Sequence, residues 1–188
     1  MAIGSVIKSR LDTKSDDYKA NLAEMQKLWD VVAAEMAKVP GIGGQRYVDR
    51  HRQRGKMLVR ERIENLIDPN TPFLELSPLA AWGTEDPIGV GIASGIGTIE
   101  GVECLITGTD MTVRGGSANP TTWKKGQRFT EIAKENRLPV INLNESAGAD
   151  LPRQADLFIQ GGASFRDLTQ LSQMGIPTIT MAFGPNTA

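Results

Sequence analysis

Small residues directly after an apolar segment are the first candidate for chemistry in this chain. Residues 139–143 form a short apolar run, typical of a fully buried strand, and Ser146, Ala147, Gly148 and Ala149 follow it. Because no side chain there is larger than a hydroxymethyl group, backbone N–H groups are left bare and a ligand can approach closely. Bare, fixed N–H groups are what an enzyme needs to hold a developing oxyanion. A tight strand-to-helix turn with no catalytic role is consistent with the same sequence.

A second glycine-rich segment lies in a predicted loop at residues 110–119. Arg114, Gly115 and Gly116 stand together there. Two glycines beside an arginine would let the backbone approach a ligand phosphate or carbonyl group, although an ordinary turn has the same composition. The sequence leaves both interpretations open.

A basic segment extends from Arg46 to Arg62. It could bind an anion, such as the phosphates of a nucleotide-bearing ligand, or it could be a solvated helix face paired with Asp49, Glu61 and Glu64, which we favour for most of its charges. Its basic residues are Arg46, Arg50, His51, Arg52, Arg54, Lys56, Arg60 and Arg62. We expect His51, the only histidine, to be exposed rather than catalytic.

Composition excludes several classes of protein. The net charge of -1 gives no electrostatic argument for a nucleic acid or an anionic membrane as partner, and no apolar run is long enough to cross a bilayer. Cys104 is the only cysteine, so we expect a buried thiol in a reducing, cytoplasmic compartment. If the chain is a mature form, a location in the matrix of an organelle fits as well. The length favours one domain.

Helices dominate the predicted elements of the first part of the chain. A loose arm over residues 1–14 precedes a helix capped at Ser15, whose apolar stripe we expect to pack on the same chain or on a partner subunit. The stripe consists of Leu22, Met25, Trp29, Val32 and Met36. A short helix at residues 60–66 and a strand at residues 73–76 follow, and then a loop anchored by Trp82.

Strands and helices alternate in the second part of the chain. Two strands, at residues 89–99 and 102–109, read as a hairpin, and a helix at residues 119–136 leads to the strand before Ser146. In this helix, the residues expected to face inward are Phe129, Ile132 and Ala133, and those expected to face outward are Lys124, Lys125, Arg128 and Lys134.

A further helix and strand complete the predicted sheet. We expect a helix at residues 163–174, buried through Phe165, Leu168 and Leu171, and a strand at residues 177–183. Such βαβ units give parallel strands, and their ligands bind beyond the carboxyl ends of the strands. The turns near Ala147 and Thr187 should therefore lie on the same edge of the sheet.

Several longer motifs, in one order along the chain, carry a resemblance to a known family. They are Arg54-Gly55-Lys56, Arg60-Glu61-Arg62-Ile63, Phe73-Leu74-Glu75-Leu76-Ser77, Val113-Arg114-Gly115-Gly116 and residues 133–139, 145–154 and 184–188. Together they resemble the carboxyltransferase (β) subunit of biotin-dependent acyl-CoA carboxylases. The branch that includes methylcrotonyl-CoA carboxylase is the most similar, and propionyl- and acetyl-CoA carboxylases share much of it.

The resemblance implies both a fold and a reaction. The fold is α/β, a crotonase-like (ClpP/crotonase) spiral of ββα units, incomplete here and preceded by an N-terminal helical extension. The reaction moves a carboxyl group from carboxybiotin to an acyl-CoA. Carboxybiotin releases CO2, the biotin oxyanion takes a proton from the acyl-CoA, and the thioester enolate attacks CO2. Neither a metal nor a side-chain nucleophile is needed, since pairs of backbone N–H groups steady both oxyanions.

The resemblance also assigns site residues. The family's Ser-Gly-Gly-Ala segment maps onto Ser146, Ala147, Gly148 and Ala149. The N–H groups of Ala147 and Gly148 would form the oxyanion hole, and Ser146 and Ala149 would bind substrate beside it.

The other assigned residues lie around this segment. Arg114, Gly115 and Gly116 would line the CoA side of the pocket. Glu145, where the family usually has Asp, is expected to orient the turn; a role as catalytic base is less favoured.

The resemblance further implies a fragment and a set of partners. Family members carry two crotonase-like domains, and the active site lies between the first domain of one subunit and the second of another. We expect an arm and helices over residues 1–70, the first part of the first carboxyltransferase domain over residues 71–188, no second domain, and no activity alone. The partners would be an acyl-CoA, a biotin carboxylase, a biotin-carrier subunit that holds the biotin cofactor, and further β subunits in a homo-oligomer. The location would be the cytoplasm, or the mitochondrial matrix in a eukaryote.

Two other functions stay open. A standalone crotonase-like CoA hydratase or isomerase would need carboxylates placed for proton transfer to carbon, and Glu145 with Asp150 is a poor candidate pair. A non-catalytic CoA-binding or assembly piece could use the helix at residues 22–36 as a contact. Copurification of biotin carboxylase and biotin-carrier subunits would favour the carboxylase.

Overall fold

The computed structural model describes residues 8–187, with the backbone alone for Ile159 and Gln160. The first seven residues of the predicted arm and Ala188 lie outside the described residues. The chain divides into two compact units between Ala37 and Lys38. No helix in the described range is long and apolar enough to span a bilayer.

The first unit contains one helix, α1 (Asp16–Met36). The Ser15 hydroxyl accepts a hydrogen bond from the Tyr18 N–H at 3.2 Å, which confirms the predicted N-cap. None of the residues of α1 is buried, and Leu22, Met25 and Trp29 are each more than half exposed. The expectation that this stripe packs on the same chain is therefore wrong for the described residues, and packing on a partner subunit stays a prediction.

The second unit contains four helices and a five-stranded sheet. Short 3-10 turns lie at Val39–Gly41, Ile88–Gly91, Arg114–Gly116 and Leu151–Arg153. The helices are α2 (Gln45–Gln53), α3 (Val59–Leu66), α4 (Pro120–Asn136) and α5 (Gln154–Gln173). The strands are β1 (Leu74–Glu75), β2 (Ile92–Ile99), β3 (Val102–Thr109), β4 (Val140–Ser146) and β5 (Thr178–Asn186).

The sheet has the strand order β1-β2-β3-β4-β5. Strands β1, β2 and β3 pair antiparallel, whereas β3, β4 and β5 pair parallel through the crossovers α4 and α5. At the β2–β3 turn, Glu100 and Gly101 have φ of 49° and 76°, and both N–H groups donate to the Asp68 carboxylate at 2.8 Å. The predicted hairpin and βαβ units are thus confirmed.

The two faces of β4 bury different cores. Ile141 and Leu143 pack with Val59 and Ile63 on one face. Residues from α4 and α5 cover the other face; the buried members of that cluster are Leu105, Phe129, Ala133, Leu138, Val140, Leu171 and Ile176. Since side chains alternate along a strand, Glu145 shares the face of Ile141 and Leu143 and points toward the α3 side.

Helix α5 differs from its prediction in length and in its buried face. It begins at Gln154, nine residues before the expected start at Ala163. Leu171 is buried as expected, but Phe165 is 74% exposed and Leu168 is 52% exposed. Among the side chains of this helix that the structure describes, Leu157 and Leu171 are the buried apolar ones. Periodicity identified an apolar stripe, but not which part of it a neighbour covers.

Lys125 in α4 is buried, so the prediction that it faces outward is wrong. Its ammonium group donates to the carbonyl oxygens of Gly89 at 3.1 Å and Ile92 at 2.8 Å. It thereby ties α4 to the turn before β2, a turn that the sequence had placed inside the strand. Burial lowers the pKa of Lys125 to about 8, although the nearby Glu75 carboxylate opposes the shift.

Replacement of Lys125 should change how stability depends on pH. Because the pKa falls from 10.5 to about 8 on folding, the unfolded chain binds more protons in this window, and the free energy of unfolding rises with pH across it. Lys125→Met keeps the apolar stem and should lack this rise. Denaturant titrations of the wild-type and Lys125→Met chains near pH 8 and near pH 10.5 measure this rise. An equal rise of the free energy of unfolding with pH in both chains would contradict the cost of burying the charged Lys125.

Phe129 and Phe165 offer a matched test of the described core. Phe129 is 2% exposed and Phe165 is 74% exposed. In the 188-residue chain, Phe129→Ala should lower the free energy of unfolding by about 3–5 kcal/mol, because it leaves a cavity. Phe165→Ala should change it by less than about 0.5 kcal/mol. Urea denaturation measures both, and similar losses would mean that α5 packs on its other face.

Candidate functional site

The carboxyl ends of β4 and β5 meet at one edge of the sheet. Ser146 is the register partner of Asn186, and the Thr187 N–H donates to the Ser146 carbonyl oxygen at 3.1 Å. The prediction that the turns near Ala147 and Thr187 share an edge is therefore confirmed.

The loop before α4 joins this edge. Ala118 and Ala149 form a parallel bridge, in which the Ala118 N–H donates to the Gly148 carbonyl oxygen at 2.8 Å. The Ser146 hydroxyl donates to the Gly116 carbonyl oxygen at 2.7 Å. The structure thus brings the predicted residues 114–116 and 146–149 together.

The two N–H groups expected to be bare are hydrogen-bonded within the fold. The Ala147 N–H donates to the Gly115 carbonyl oxygen at 3.0 Å, and the Gly148 N–H donates to the Ser146 hydroxyl at 3.0 Å. The expectation of unpaired N–H groups at this edge is therefore wrong. The physical reason is that the loop before α4 offers a carbonyl acceptor, and folded chains seldom leave a backbone donor unpaired.

The loop itself carries two N–H groups that meet no acceptor. Within residues 8–187, neither the Arg114 N–H nor the Gly115 N–H makes a hydrogen bond. Arg114, Gly115 and Gly116 have φ of 48°, 65° and 67°, so this turn is left-handed, a conformation that costs free energy at the arginine. Ala147 has no positive φ, and its methyl group is accommodated without backbone strain.

A mostly buried carboxylate, Asp86, anchors the elements around this edge. It accepts hydrogen bonds from the Thr121 hydroxyl at 2.6 Å, from Arg153 at 3.0 Å and from Asn119 at 3.2 Å, and it lies 3.4 Å from Arg114. The bond from Thr121 lowers the pKa of Asp86, burial opposes this, and Arg153 and Arg114 reinforce it.

Asp86 replaces Trp82 as the anchor of the loop before β2. Trp82 is 52% exposed, so its predicted anchoring role is wrong. Sequence reasoning missed Asp86 because its partners lie 28 to 67 positions away along the chain. A lone Asp in a polar loop gives no signal for contacts at that range.

Glu145 lies on the inner side of the edge with its carboxylate 1% exposed. One oxygen accepts from the Lys56 ammonium group, and the other accepts from Arg62 at 2.8 Å. Burial alone would raise the pKa of Glu145, but the hydrogen bonds from Lys56 and Arg62 outweigh it, and the pKa is lowered. The expectation that Glu145 orients the turn agrees with these contacts but is not tested by them.

His51 is buried beside this cluster, so its predicted exposure is wrong. Its Nε2 lies 3.1 Å from the Met57 carbonyl oxygen and 3.4 Å from Arg62. The imidazole therefore packs against the segment that leads into α3. Its contacts are with the protein interior.

Several side chains of the basic segment, residues 46–62, are paired with carboxylates. Arg52 bonds Glu61 at 2.6 Å, as predicted, and Arg60 bonds Glu75 at 2.6 Å. Asp49 instead accepts a hydrogen bond from Gln45. The exposed arginines of the segment are Arg46, Arg50, Arg52 and Arg54.

Two cavities lie away from the small-residue edge. One of about 480 Å³ is lined by α3 residues and the segment that precedes β1, among them Arg60, Ile63 and Phe73. The other, of about 350 Å³, lies between α4, α5 and the sheet beside Trp123 and Asn142. Neither of these two cavities is lined by residues 146–149.

The stretch that builds this edge matches a known class of enzyme domain. The family model described as "Carboxyl transferase domain" matches residues 50–188. The chain therefore belongs to the carboxyl transferase domain family.

Individual relatives agree with this class. The chain is 53% identical, over 97% of its length, to a probable biotin-dependent acyl-coenzyme A carboxylase beta2 subunit of Mycobacterium tuberculosis. It is 45% identical, over 98% of its length, to a probable mitochondrial methylcrotonoyl-CoA carboxylase beta chain of Drosophila melanogaster. It covers 35% and 33% of these two relatives, so it spans about a third of their length.

Solved structures define the fold. The β subunit of geranyl-CoA carboxylase from P. aeruginosa superposes with a TM-score of 0.73 at 37% identity, over 94% of this chain and 34% of that one. The transcarboxylase 12S hexamer with bound methylmalonyl-coenzyme A superposes with a TM-score of 0.77 at 29% identity, over 86% and 32%. The fold is the crotonase-like fold of carboxyltransferase β subunits, as predicted.

Asp86→Asn should loosen the loops around the edge. At neutral pH we expect the free energy of unfolding to fall by about 1–3 kcal/mol, since buried donors lose a charged acceptor. The pKa of Asp86 is lowered below 3.8 in the fold, so the wild-type advantage is present above that pH and is lost as the pH falls through the folded value.

Urea titrations at neutral and acid pH measure this difference. The exposed neighbour Glu85 serves as control, and Glu85→Gln should leave stability unchanged. If Asp86→Asn lowered the free energy of unfolding as much at low pH as at neutral pH, the stabilising role of the Asp86 charge would be contradicted.

Proposed function

We propose that this chain is the N-terminal part of the carboxyltransferase component of a biotin-dependent acyl-CoA carboxylase. The observation that carries the proposal is the family match over residues 50–188, which includes both glycine-rich segments of the edge. Biotin, carried on a partner protein, would supply the carboxyl group. The division into an arm with helices over residues 1–70 and a carboxyltransferase part over residues 71–188 belongs to the same proposal.

The edge would act as one half of the active site. For an oxyanion to bind at Ala147 and Gly148, each N–H must exchange its present acceptor for the ligand. At Gly148 the present acceptor is the Ser146 side chain, and turning that hydroxyl away also breaks its bond to the Gly116 carbonyl oxygen, whereas Ala147 is bound to the main chain of Gly115. Loss of one such donor from a working oxyanion hole costs about 3 kcal/mol.

The remaining assigned residues would shape the substrate channel. Arg114, Gly115 and Gly116 would line the CoA side, where the unpaired Gly115 N–H provides a further donor. Ser146 and Ala149 would contact the substrate beside the two donors. The small size of these residues keeps the main chain accessible to a ligand.

The contacts of Glu145 argue against a hydratase or isomerase. Such an enzyme needs a carboxylate within reach of the proton on carbon, with a pKa near the working pH. The Glu145 carboxylate is buried, held by Lys56 and Arg62, and its pKa is lowered. A base of that kind has little tendency to take a proton from carbon.

The partners proposed are those of the relatives. They are an acyl-CoA, a biotin carboxylase, a biotin-carrier subunit and further β subunits in a homo-oligomer. The names of the relatives support acyl-CoA and biotin, and that of transcarboxylase 12S supports a hexamer for that protein. The cytoplasm, or the mitochondrial matrix in a eukaryote, would be the location.

The proposal predicts activity only when the second half of the site is present. A complete β subunit, assembled with biotin carboxylase and carrier, should carboxylate an acyl-CoA in the presence of bicarbonate and ATP. The 188-residue chain should give no turnover above background, because the resemblance places the active site between two domains. Mass spectrometry of the CoA products measures both.

Two results would contradict the proposal. Sustained carboxylation by the 188-residue chain alone would show that no second half is needed. Hydration of an enoyl-CoA by the complete subunit, without carboxyl transfer, would move the protein to the hydratase class.

A further inference from the structure

We infer that Glu145, Lys56 and Arg62 form a buried charge cluster that positions the carboxyl ends of β4 and β5, and with them the N–H groups at Ala147 and Gly148. Glu145 is then a positioning residue and not the base of the reaction. This inference rests on the proposed function, because the N–H groups that it positions are those of the proposed half-site.

The cluster satisfies both oxygens of a carboxylate that has lost its water. Glu145 is 1% exposed, Arg62 is 4% exposed and Lys56 is 27% exposed. Lys56 and Arg62 each donate to a different oxygen, so the carboxylate is fixed in orientation as well as in place. A buried carboxylate with two cationic donors is strongly destabilised when one side is removed, because a charge is then left unpaired.

The same two cations hold an irregular stretch of β5. Between the pairs Asn144–Ala182 and Ser146–Asn186, β4 advances by two residues and β5 by four, which is a bulge. Bulges re-aim side chains and are common next to active sites.

Residues of the bulge contact the cluster directly. The Phe183 ring lies over the Arg62 guanidinium at 4.5 Å, and the Phe183 carbonyl oxygen accepts from Lys56 at 3.4 Å. Gly184 passes so close that a Cβ atom there would lie 2.7 Å from the Glu145 carboxylate and from the Lys56 ammonium. A side chain at position 184 would therefore displace the carboxylate or the ammonium group, so the path of β5 and the cluster depend on each other.

Glu145 transmits this restraint to the edge through its own main chain. Its N–H donates to the Thr109 hydroxyl at 2.8 Å, and that hydroxyl donates back to the Glu145 carbonyl oxygen at 2.7 Å. Ser146 follows directly, and its carbonyl oxygen accepts from Thr187 beyond the bulge. A shift of the Glu145 side chain thus moves both strand ends, and the N–H groups of Ala147 and Gly148 follow.

The test uses the complete β subunit assembled with biotin carboxylase and carrier. Glu145→Gln keeps the shape and removes the charge. We expect kcat for acyl-CoA carboxylation to fall about 100-fold, the effect of a displacement near 1 Å. KM for the acyl-CoA should change by less than about threefold, since the loss is in the transition state. Glu145→Asp, which keeps the charge, should recover about a tenth or more of the wild-type kcat.

A second ion pair provides the matched control. Arg60 and Glu75 are bonded at 2.6 Å with side chains 26% and 23% exposed, and Glu75 lies on β1, at the opposite end of the strand order from β5. Glu75→Gln should leave kcat unchanged. An equal fall in kcat for Glu75→Gln and Glu145→Gln would mean that the effect is general destabilisation, and the positioning role would be overturned.

The pH profile separates positioning from proton transfer. If Glu145 is a positioning residue, Glu145→Gln should lower kcat by the same factor at each pH and keep the shape of the curve of kcat against pH. Loss of one limb of the profile would identify Glu145 as the base and overturn the inference.

Hydrogen exchange tests the cluster without reference to activity. In Glu145→Gln, the amides of residues 146–149 and 183–187 should exchange at least about tenfold faster, while those of the β2–β3 hairpin stay unchanged. If Glu145→Gln does not fold, Glu145→Asp and Lys56→Gln should show the same pattern more weakly. Unchanged exchange at both strand ends would overturn the inference.

Different results would reject the proposed function and the positioning role of the cluster. A wild-type assembly without carboxyl transfer would reject the proposed function, and exchange at the strand ends would still decide whether the cluster positions them. An active wild-type assembly with unchanged kcat in Glu145→Gln would reject the cluster's role alone.

Discussion

The carboxylate of Glu145 loses its water on folding, and the cations of Lys56 and Arg62 offset that cost. Lys56 and Arg62 come from the segment before the sheet, so one side chain joins the basic segment to the strand end before Ser146. Thr109 fixes the main chain of the same residue. The main-chain groups that the edge presents to a ligand therefore directly follow a residue, Glu145, whose side chain and backbone are both held by hydrogen bonds.

The edge is built from two short glycine-rich segments that complete each other's hydrogen bonds. Gly115 and Gly116 supply carbonyl oxygens, which accept from the Ala147 N–H and from the Ser146 hydroxyl. The N–H groups of Ala147 and Gly148 therefore reach a ligand only by exchanging their present acceptors. At Gly148 the acceptor is the Ser146 hydroxyl, which itself donates to the Gly116 carbonyl oxygen, so an exchange there involves both hydrogen bonds.

Local sequence patterns were sufficient for the sheet. Alternation over β2 and β3, the turn at Glu100–Gly101 and the apolar run before Ser146 are short-range signals, and the structure has each of them. The edge followed from topology, because parallel strands place their carboxyl ends together.

Contacts across long stretches of sequence could not be predicted in the same way. The acceptor for the Ala147 N–H lies on a loop 32 positions earlier, and a pattern of small residues does not reveal it. Lys125 can be buried because the carbonyl oxygens of Gly89, in the turn before β2, and of Ile92, at the start of β2, accept its hydrogen bonds, which its place on a helical wheel does not show. For Phe165, periodicity indicates an apolar side chain but not whether another element covers it.

The most direct measurement is a structure of the complete β subunit with an acyl-CoA bound. The account predicts that a ligand oxygen lies about 3 Å from the Gly148 nitrogen, with the Ser146 hydroxyl turned away from it. A bound acyl-CoA whose reactive oxygen is distant from residues 146–149, with the Gly148 N–H still bonded to Ser146, would contradict it.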